Sequence, residues 1–388
     1  MKRLFIQFFI FFIASQYNSI LCQQIPVLNL ASALERTEDI KLSDFAESIT
    51  YIPLATTYDC LVDKNPKVYV SKEYIITVTI YRCLVFSRNN GEFIREIGRY
   101  GRGPGEFSYA AIMGFVNDQS PACYFIGGNG NLVKYTIDGV FRGNINMPGY
   151  NGSFDKPSVP MNFSFINDSI IVCDFLIARG IEPNLLMIFN ENGKVLKTIP
   201  NRNILATKQV YVTRPGETSF YRFNNNLFFQ NMYNDTVFRI TVDKITPYFI
   251  LNRGKHSPPY ESKWWPLEKR LKGSFIFQPQ YSESKRFISF NFNLDKIKYF
   301  ALYDKMLRLI KVADNSSGIK NDIDGFMNLT FDSINSEGDL IGLIQANDIV
   351  HWIENNPERI KSLYPVFQKL KNIKWEDNPV IVIAKYKE

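Results

Sequence analysis

Histidine is almost missing from this chain: two of 388 residues, His256 and His351. Neither has a cysteine or a second histidine at ligand spacing, which argues against a zinc site and against a Ser-His-Asp triad. Cysteine is also sparse. Cys22, Cys60, Cys83, Cys123 and Cys173 include no CxxC pair, so the last four read as buried thiols or, in an oxidising compartment, as disulfide partners. There is no run of like charge. Forty-five Lys and Arg against 38 Asp and Glu give a net charge of +7, but the two signs are interspersed throughout. A nucleic-acid footprint would be clustered, and no such partner is expected. Beyond the first residues no apolar stretch is long enough to cross a bilayer as a helix. No cofactor or metal is expected from these patterns.

The first residues, "MKRLFIQFFIFFIASQYNSILCQQ", place Lys2 and Arg3 before an apolar run from Leu4 to about Ala14. That layout is an export signal, with residues 1–22 as the removable segment and 23–48 as a lead-in to the folded part. Losing two positive charges and no acids takes the net charge from +7 to +5. Cys22 stands where a bacterial lipoprotein signal has its lipidated cysteine, although Leu21 replaces the usual small residue before it. Lipid attachment at Cys22 and ordinary cleavage nearby are both open, and either puts the chain in the periplasm or at the outer membrane.

Aromatic residues are abundant, 32 Phe and 21 Tyr, and planar side chains suit the pleated surface of strands. They fall in a repeat. "LVFSRNNGEFIREIG" from Leu84, "LVKYTIDGVFRGNI" from Leu132 and "LMIFNENGKVLKTI" from Leu186 each read strand, turn, strand, with Asn90-Gly91, Asp138-Gly139 and Asn192-Gly193 at the turns. Such dipeptides supply the positive φ angles of two-residue hairpin turns. Weaker copies without the glycine begin at Thr236 and Phe300. Further short strands precede each hairpin, so each unit has about four, and radial stacking of such units is the common way to cover both faces of small antiparallel sheets. A sixth unit holds Asp339–Gln345 and "PVIVIAKYK". The all-β fold expected is therefore a six-bladed β-propeller over 49–388, with the strand at Ile49–Thr56 closing the ring on the terminal sheet. A helical insertion is expected at about 356–372, where Pro357 suits a first helical position and Pro365 should kink the helix.

"IGRYGRGPGEF" at Ile97–Phe107 is rich in glycine but lacks the Lys-Ser/Thr of a phosphate-binding loop. Pro104 also removes an N–H from any anion nest. The stretch is better read as the crossing from the rim of one blade to the channel side of the next. After the preceding hairpin it resembles the blade junction of NHL-type propellers, and more closely that of a six-bladed β-propeller family of exported, often lipid-anchored Bacteroidetes proteins of unassigned function. "NMYNDTVFRITVDKITPYFILNRGK", "NDIDG" and "EDNPVIVIAKYK" are similar to that family's later blades and C-terminus. The resemblance implies a fold and an envelope location, and transfers no catalytic residue.

Propellers bind with loops at one end of the central channel, which selects polar residues at blade entries. Arg99, Arg102 and Glu106 lie at the first seam, where an Arg–Glu pair fixing the loop is the plainer role. Asp174 and Arg179 follow a strand and are placed to line a pocket or to pair on the surface. Asp322 and Asp324 in "NDIDG" resemble oxygen ligands for calcium, but the rest of a calcium loop is missing, and an Asx-turn is the simpler reading. Trp264 and Trp265, with Tyr260, form an aromatic patch suited to stacking on a sugar or a partner side chain, or to covering the propeller. The function expected is non-catalytic: recognition of an envelope peptide, glycan or protein through the channel face. The alternative is an envelope glycan hydrolase or lyase, which needs carboxylates such as Glu106, Asp174 and Asp322 to converge from several blades. A sensor or assembly role, with the helical insertion as docking element, is the third.

Overall fold

The computed structural model describes residues 24–109, 115–117, 121–127, 130–149, 160–175, 180–204, 216–335, 337–360 and 369–388. These form six antiparallel sheets, one after another along the chain. The first blade runs Lys67–Val70, Tyr74–Val78, Cys83–Ser87, Phe93–Glu96. In the second, Phe107–Tyr109 and Phe115–Asn117 share the first position against Ala122–Gly127. The third opens with Pro160–Asn167, the fourth with Thr218–Phe223, the fifth with Gln280–Glu283 and the sixth with Phe331–Ile334.

The ring is visible in the packing. Along a strand, successive side chains face opposite sides of the sheet, and here the two sides meet different neighbours. Ile75 joins a core shared with the sixth blade, and Ile76 joins one shared with the second. In the third blade Ile171 and Cys173 face the second blade, whereas Val172 faces the fourth. The fourth and fifth blades share a further core, as do the fifth and sixth. Each sheet is thus apolar on both faces, and six inter-blade cores close a circle. The strands that open successive blades touch one another from the second blade round the axis to the first. The expected six-bladed propeller is the fold.

The last sheet is completed by the N-terminal strand Ala46–Pro53. It pairs antiparallel with Val380–Tyr386, from Ala46↔Tyr386 to Pro53↔Val380, so the strand expected to close the ring does so. The segment before it is also packed. Val27–Leu28 adds a parallel strand to the outer edge of the fourth blade, and Leu42 and Phe45 are wholly buried between blades five and six.

All five expected hairpins form, with a correction to their turns. Asn90, Asp138 and Asn192 do not take positive φ; only Gly91, Gly139 and Gly193 do, at 76°, 80° and 73°. The loops are therefore longer than two residues: Thr136 N–H bonds Val140 O, and Asn190 N–H bonds Lys194 O. A bulge follows in each of the three hairpins. This is the longer turn with glycine in the left-handed position leading into a bulge. In the fifth blade Arg308 takes that position at φ 53°.

The sixth blade carries its insertion between Leu340–Ile344 and Val380–Tyr386, and helix begins earlier than expected, at Ala346–Asn355. Ile349 is buried and Trp352 and Ile353 pack on the same core between blades five and six. Pro357 does open a second helix, Pro357–Ile360. The side chain of Asn356 turns back to donate to Trp352 O at 2.8 Å, which closes the preceding helix. Pro365 lies outside the described residues.

Candidate functional site: the central channel

A cavity of about 1650 Å³ runs along the axis, lined by the opening strands of all six blades. Its lining mixes amides, among them Asn117, Asn162, Gln278, Gln280 and Asn293, with rings such as Tyr69, Phe163, Phe220 and Phe277. Opening strands are short and crowd the axis, so their side chains divide between the inter-blade cores and the water-filled centre. Hydrogen-bonding amides beside exposed ring faces suit a polar ligand with apolar patches.

Most charge in this lining is spoken for. Glu283, fully buried, accepts from Tyr221 Oη (3.0 Å), Tyr248 Oη (2.6 Å) and Lys305 Nζ (2.5 Å). Asp332 faces Lys298 at 3.5 Å, and Glu388 faces Lys285 at 3.2 Å. Arg88 reaches both Glu337 (2.5 Å) and Asp339 (3.7 Å). Lys67, the first residue of the first blade's opening strand, is different. Among the described residues no hydrogen bond or ion pair engages its ammonium, and burial alone lowers its pKa. The sequence reading missed it. The available signal was a lysine heading the strand "KVYV", where the other residues belong to a core.

Where the third and fourth blades enter the channel, a buried polar cluster holds their opening strands. Asp174 accepts from the backbone N–H of Asn162 (2.8 Å), Glu217 (3.0 Å) and Thr218 (2.9 Å), and from Asn162 Nδ2 (3.2 Å). Burial, with Glu217 nearby, raises its pKa to about 7 against the downward pull of the three N–H donors. Gly216 makes this approach possible: its φ is +74°, and a Cβ there would meet Asn162 Nδ2 at 2.0 Å. Glu217 is paired with Lys263, both nearly inaccessible. Burial pushes the carboxyl up and the ammonium down, each toward its neutral form, against their mutual attraction. Asp174 thus works as a stitch between blades. With its oxygens occupied by four donors, it is not presented to a substrate.

The other singled-out residues separate. In the glycine-rich junction, Glu106 accepts from Gly103 N–H at 2.7 Å, and Phe107 N–H bonds Arg99 O at 3.0 Å. No helix follows; the chain passes directly into Phe107–Tyr109 of the second blade. Arg99 and Arg102 are exposed, and a backbone N–H rather than a guanidinium holds Glu106. Asp322 accepts from Ser43 N–H (2.9 Å) and Ser43 Oγ (2.6 Å). Asp324 accepts from Tyr51 Oη (3.0 Å), Asn321 Nδ2 (2.6 Å) and Phe326 N–H (3.0 Å). "NDIDG" is therefore an Asx-turn that clasps the ring-closing segment. Trp264 and Trp265 are both half-buried: Trp264 meets Tyr260 edge-on at 5.3 Å, and Lys269 lies 3.8 Å over the Trp265 ring. Glu106, Asp174 and Asp322 sit in three separate networks with no shared partner. Among the described residues no group of three His, Cys, Asp or Glu is placed to hold a metal. Cys60, Cys83, Cys123 and Cys173 are free and buried. Arg179 and Cys22 lie outside the described residues.

The loop bearing the tryptophans is anchored by Arg253, which is fully buried. Its Nε donates to Asp235 Oδ1 (2.6 Å), and Nη1 donates to Met232 O (3.0 Å) and Ile276 O (2.7 Å). Arg253→Met should cost about 3 kcal/mol in urea unfolding, the low end for a broken buried pair because Asp235 is partly solvated. Arg102→Ala, at an exposed site, should stay within about 0.5 kcal/mol.

Comparison with known proteins follows the fold. A Bacteroides fragilis protein described as a "putative exported protein" superposes with a TM-score of 0.69 at 16% identity, over 91% of this chain and 98% of that one. A Bacteroides vulgatus member of the duf4221 family superposes at 0.50 with 14% identity, over 88% and 97%. At these identities the likeness is one of fold. No curated protein matches the sequence. Residues 25–385 match a family described as a domain of unknown function, DUF4934, and the chain belongs to that family.

Proposed function

We propose that this protein is an exported, non-catalytic binding protein that takes a polar envelope ligand into its central channel. The observation that carries the reading is the cavity of about 1650 Å³, lined by amides and rings from all six blades, whose carboxylates are largely neutralised by their own basic partners. Export rests on the signal-like segment at 1–22 and is supported by the description of the B. fragilis neighbour. Anchoring through Cys22 belongs to the same proposal, as does kinship with NHL-type propellers. Mass spectrometry of the protein from membranes decides the anchor: a lipid-modified N-terminal Cys22 is expected, and an unmodified new N-terminus beyond it refutes it.

Binding is tested by screening envelope oligosaccharides and peptides for a rise in melting temperature, since a ligand that binds only the folded state must stabilise it. Hydrogen exchange then locates the ligand. Protection is expected on Lys67–Tyr69, Asn162–Phe165 and Thr218–Tyr221. Protection confined to outer strands such as Phe93–Glu96 overturns the channel reading.

A further inference from the structure

The channel holds one cation whose surroundings are unlike those of the rest. Lys67 lines the cavity and is open to the water within it, while the protein around it is dense enough to disfavour its charge. An ammonium in such a place normally carries a carboxylate partner, because an unpaired charge is costly to desolvate. None serves it among the described residues. The nearby charges confirm that this is not a general feature of the channel: Glu283, Asp332, Glu337, Asp339 and Glu388 each have a basic partner. Glu73, on the turn after the same strand, is at its other end, beside Lys72.

Three blades away, and so on the opposite wall of a six-fold ring, the fourth blade's opening strand begins at Thr218. Among the described residues Thr218 Oγ1 and Ser219 Oγ have no hydrogen-bond partner, and both oxygens are buried. Gln278 and Asn162 line the wall beside them: Gln278 gives one N–H to Gly216 O at 3.2 Å, whereas Asn162 gives both of its N–H groups, to Thr218 O at 2.9 Å and to Asp174 Oδ2 at 3.2 Å. One wall therefore offers the Lys67 ammonium, with Lys72 just past the far end of the same strand, and the other offers mainly amides, its Arg222 guanidinium already donating to Phe165 O and Asn225 O. Ring faces lie between them, at Tyr69 on the first side and Phe163 and Phe220 on the other.

We propose that the channel binds an oligosaccharide carrying a carboxylate, a uronate, with Lys67 as the partner of that carboxylate. The inference deepens the binding function proposed above and rests on it. A carboxylate accepts a charge-assisted hydrogen bond from the ammonium and supplies the missing counter-charge. Neutral hydroxyls of the sugar match the amides of Gln278, Gln280 and Asn293. The faces of pyranose rings, apolar at their C–H groups, match the aromatic rings. Because the ligand's charge favours the protonated lysine, binding takes up a proton wherever free Lys67 is partly neutral. Affinity for the acid should then fall as pH rises through the lowered pKa of Lys67.

The test is titration calorimetry of the mature chain with trigalacturonate, its methyl ester, neutral galactotriose and triglutamate peptide. Trigalacturonate is expected to bind at least tenfold more tightly than its methyl ester or the neutral trimer. Lys67→Met should reduce the acid to the level of the ester and leave the neutral trimer unchanged. Lys67→Arg should retain the preference and lose the fall with pH, since arginine stays charged. Both variants are checked for the wild-type melting temperature. Equal affinity for acid and ester, or acid binding unaffected in Lys67→Met, refutes the role of Lys67 while leaving a channel that binds sugars. Tighter binding of the peptide than of any sugar, again lost in Lys67→Met, refutes the sugar. If none of the four binds and none protects the opening strands from exchange, the proposal falls. The channel reading falls separately, if the wider screen also gives no channel ligand.

Discussion

Removing residues 24–54 should leave a chain with no cooperative unfolding transition in urea, although most of five blades and three strands of the sixth remain. The reason lies in where this segment packs. Ala46–Pro53 supplies the fourth strand of the sixth blade, and its neighbourhood contributes to two inter-blade cores at once. Leu42, Phe45 and Tyr51 pack between blades five and six, and Ile52 and Leu54 pack between blades six and one. Without them the ring has an open edge at Val380–Tyr386 and two thinned interfaces beside it. A gentler form of the same test is Phe45→Ala. Phe45 is wholly buried, with its ring 5.4 Å from Phe300 and 6.0 Å from Tyr386, so it bridges the fifth and sixth blades. Its loss should cost about 3–5 kcal/mol, as for other buried phenylalanines. A truncated chain that unfolds with the full chain's midpoint and slope would show that the ring does not depend on its closing strand.

The fold was legible in the sequence because a propeller repeats one local signal. Alternation on either side of a hairpin turn, with glycine at three of the turns, marks the outer pair of five blades, and five such pairs at regular spacing leave few other architectures. What local reading could not supply was the turn geometry. Asn90-Gly91, Asp138-Gly139 and Asn192-Gly193 have the composition of a two-residue turn, yet only the glycine is left-handed, because a bulge absorbs the extra residue. The start of the insertion was hidden for a related reason. "QANDIVHWIEN" continues an apolar strand, and its helical face is recognisable only against the core that Ile349 enters.

The site was less legible, since a channel is made by residues far apart in sequence. Glu106, Asp322 and Asp324 stood out because acids among glycines and asparagines look like ligands. In the structure each carboxylate closes a loop on nearby N–H or O–H donors. Lys67 did not stand out, because a lysine opening a strand is ordinary until one knows that the strand faces the axis. Asp174 read as a pocket-lining or surface-pairing residue, and is instead a buried acceptor whose partners Glu217 and Thr218 are more than forty residues away. Composition marks chemistry, and only closure of the ring says which chemistry faces the same space.

Asp174 gives the clearest pH signature. Its pKa rises from the ordinary carboxyl value of 3.8 to about 7 on folding, chiefly through burial. Between those values the folded state binds a proton that the unfolded chain has released. Stability from this group is therefore greatest below about pH 4 and declines as pH rises toward 7, by roughly 4 kcal/mol in all. Glu217, also raised, acts in the same direction, whereas the lowered Lys263 acts in the opposite one, as pH rises through its folded value while the unfolded lysine still holds its proton. Urea midpoints taken from pH 4 to pH 7 should fall for the wild type. In Asp174→Asn, which keeps one oxygen acceptor and cannot ionise, most of that fall should vanish. Asp174→Ala removes every acceptor and leaves the buried N–H groups of Asn162, Glu217 and Thr218 without partners. At about 1–3 kcal/mol for each orphaned donor, the loss should be on the order of 5 kcal/mol. A wild-type midpoint flat across this range, with Asp174→Asn indistinguishable from it, would mean that Asp174 folds as an ordinary ionised carboxylate. The three N–H donors would then outweigh burial. The opposing pulls act on the same two oxygens, so the sign of the slope reports directly which of them governs the junction of blades three and four.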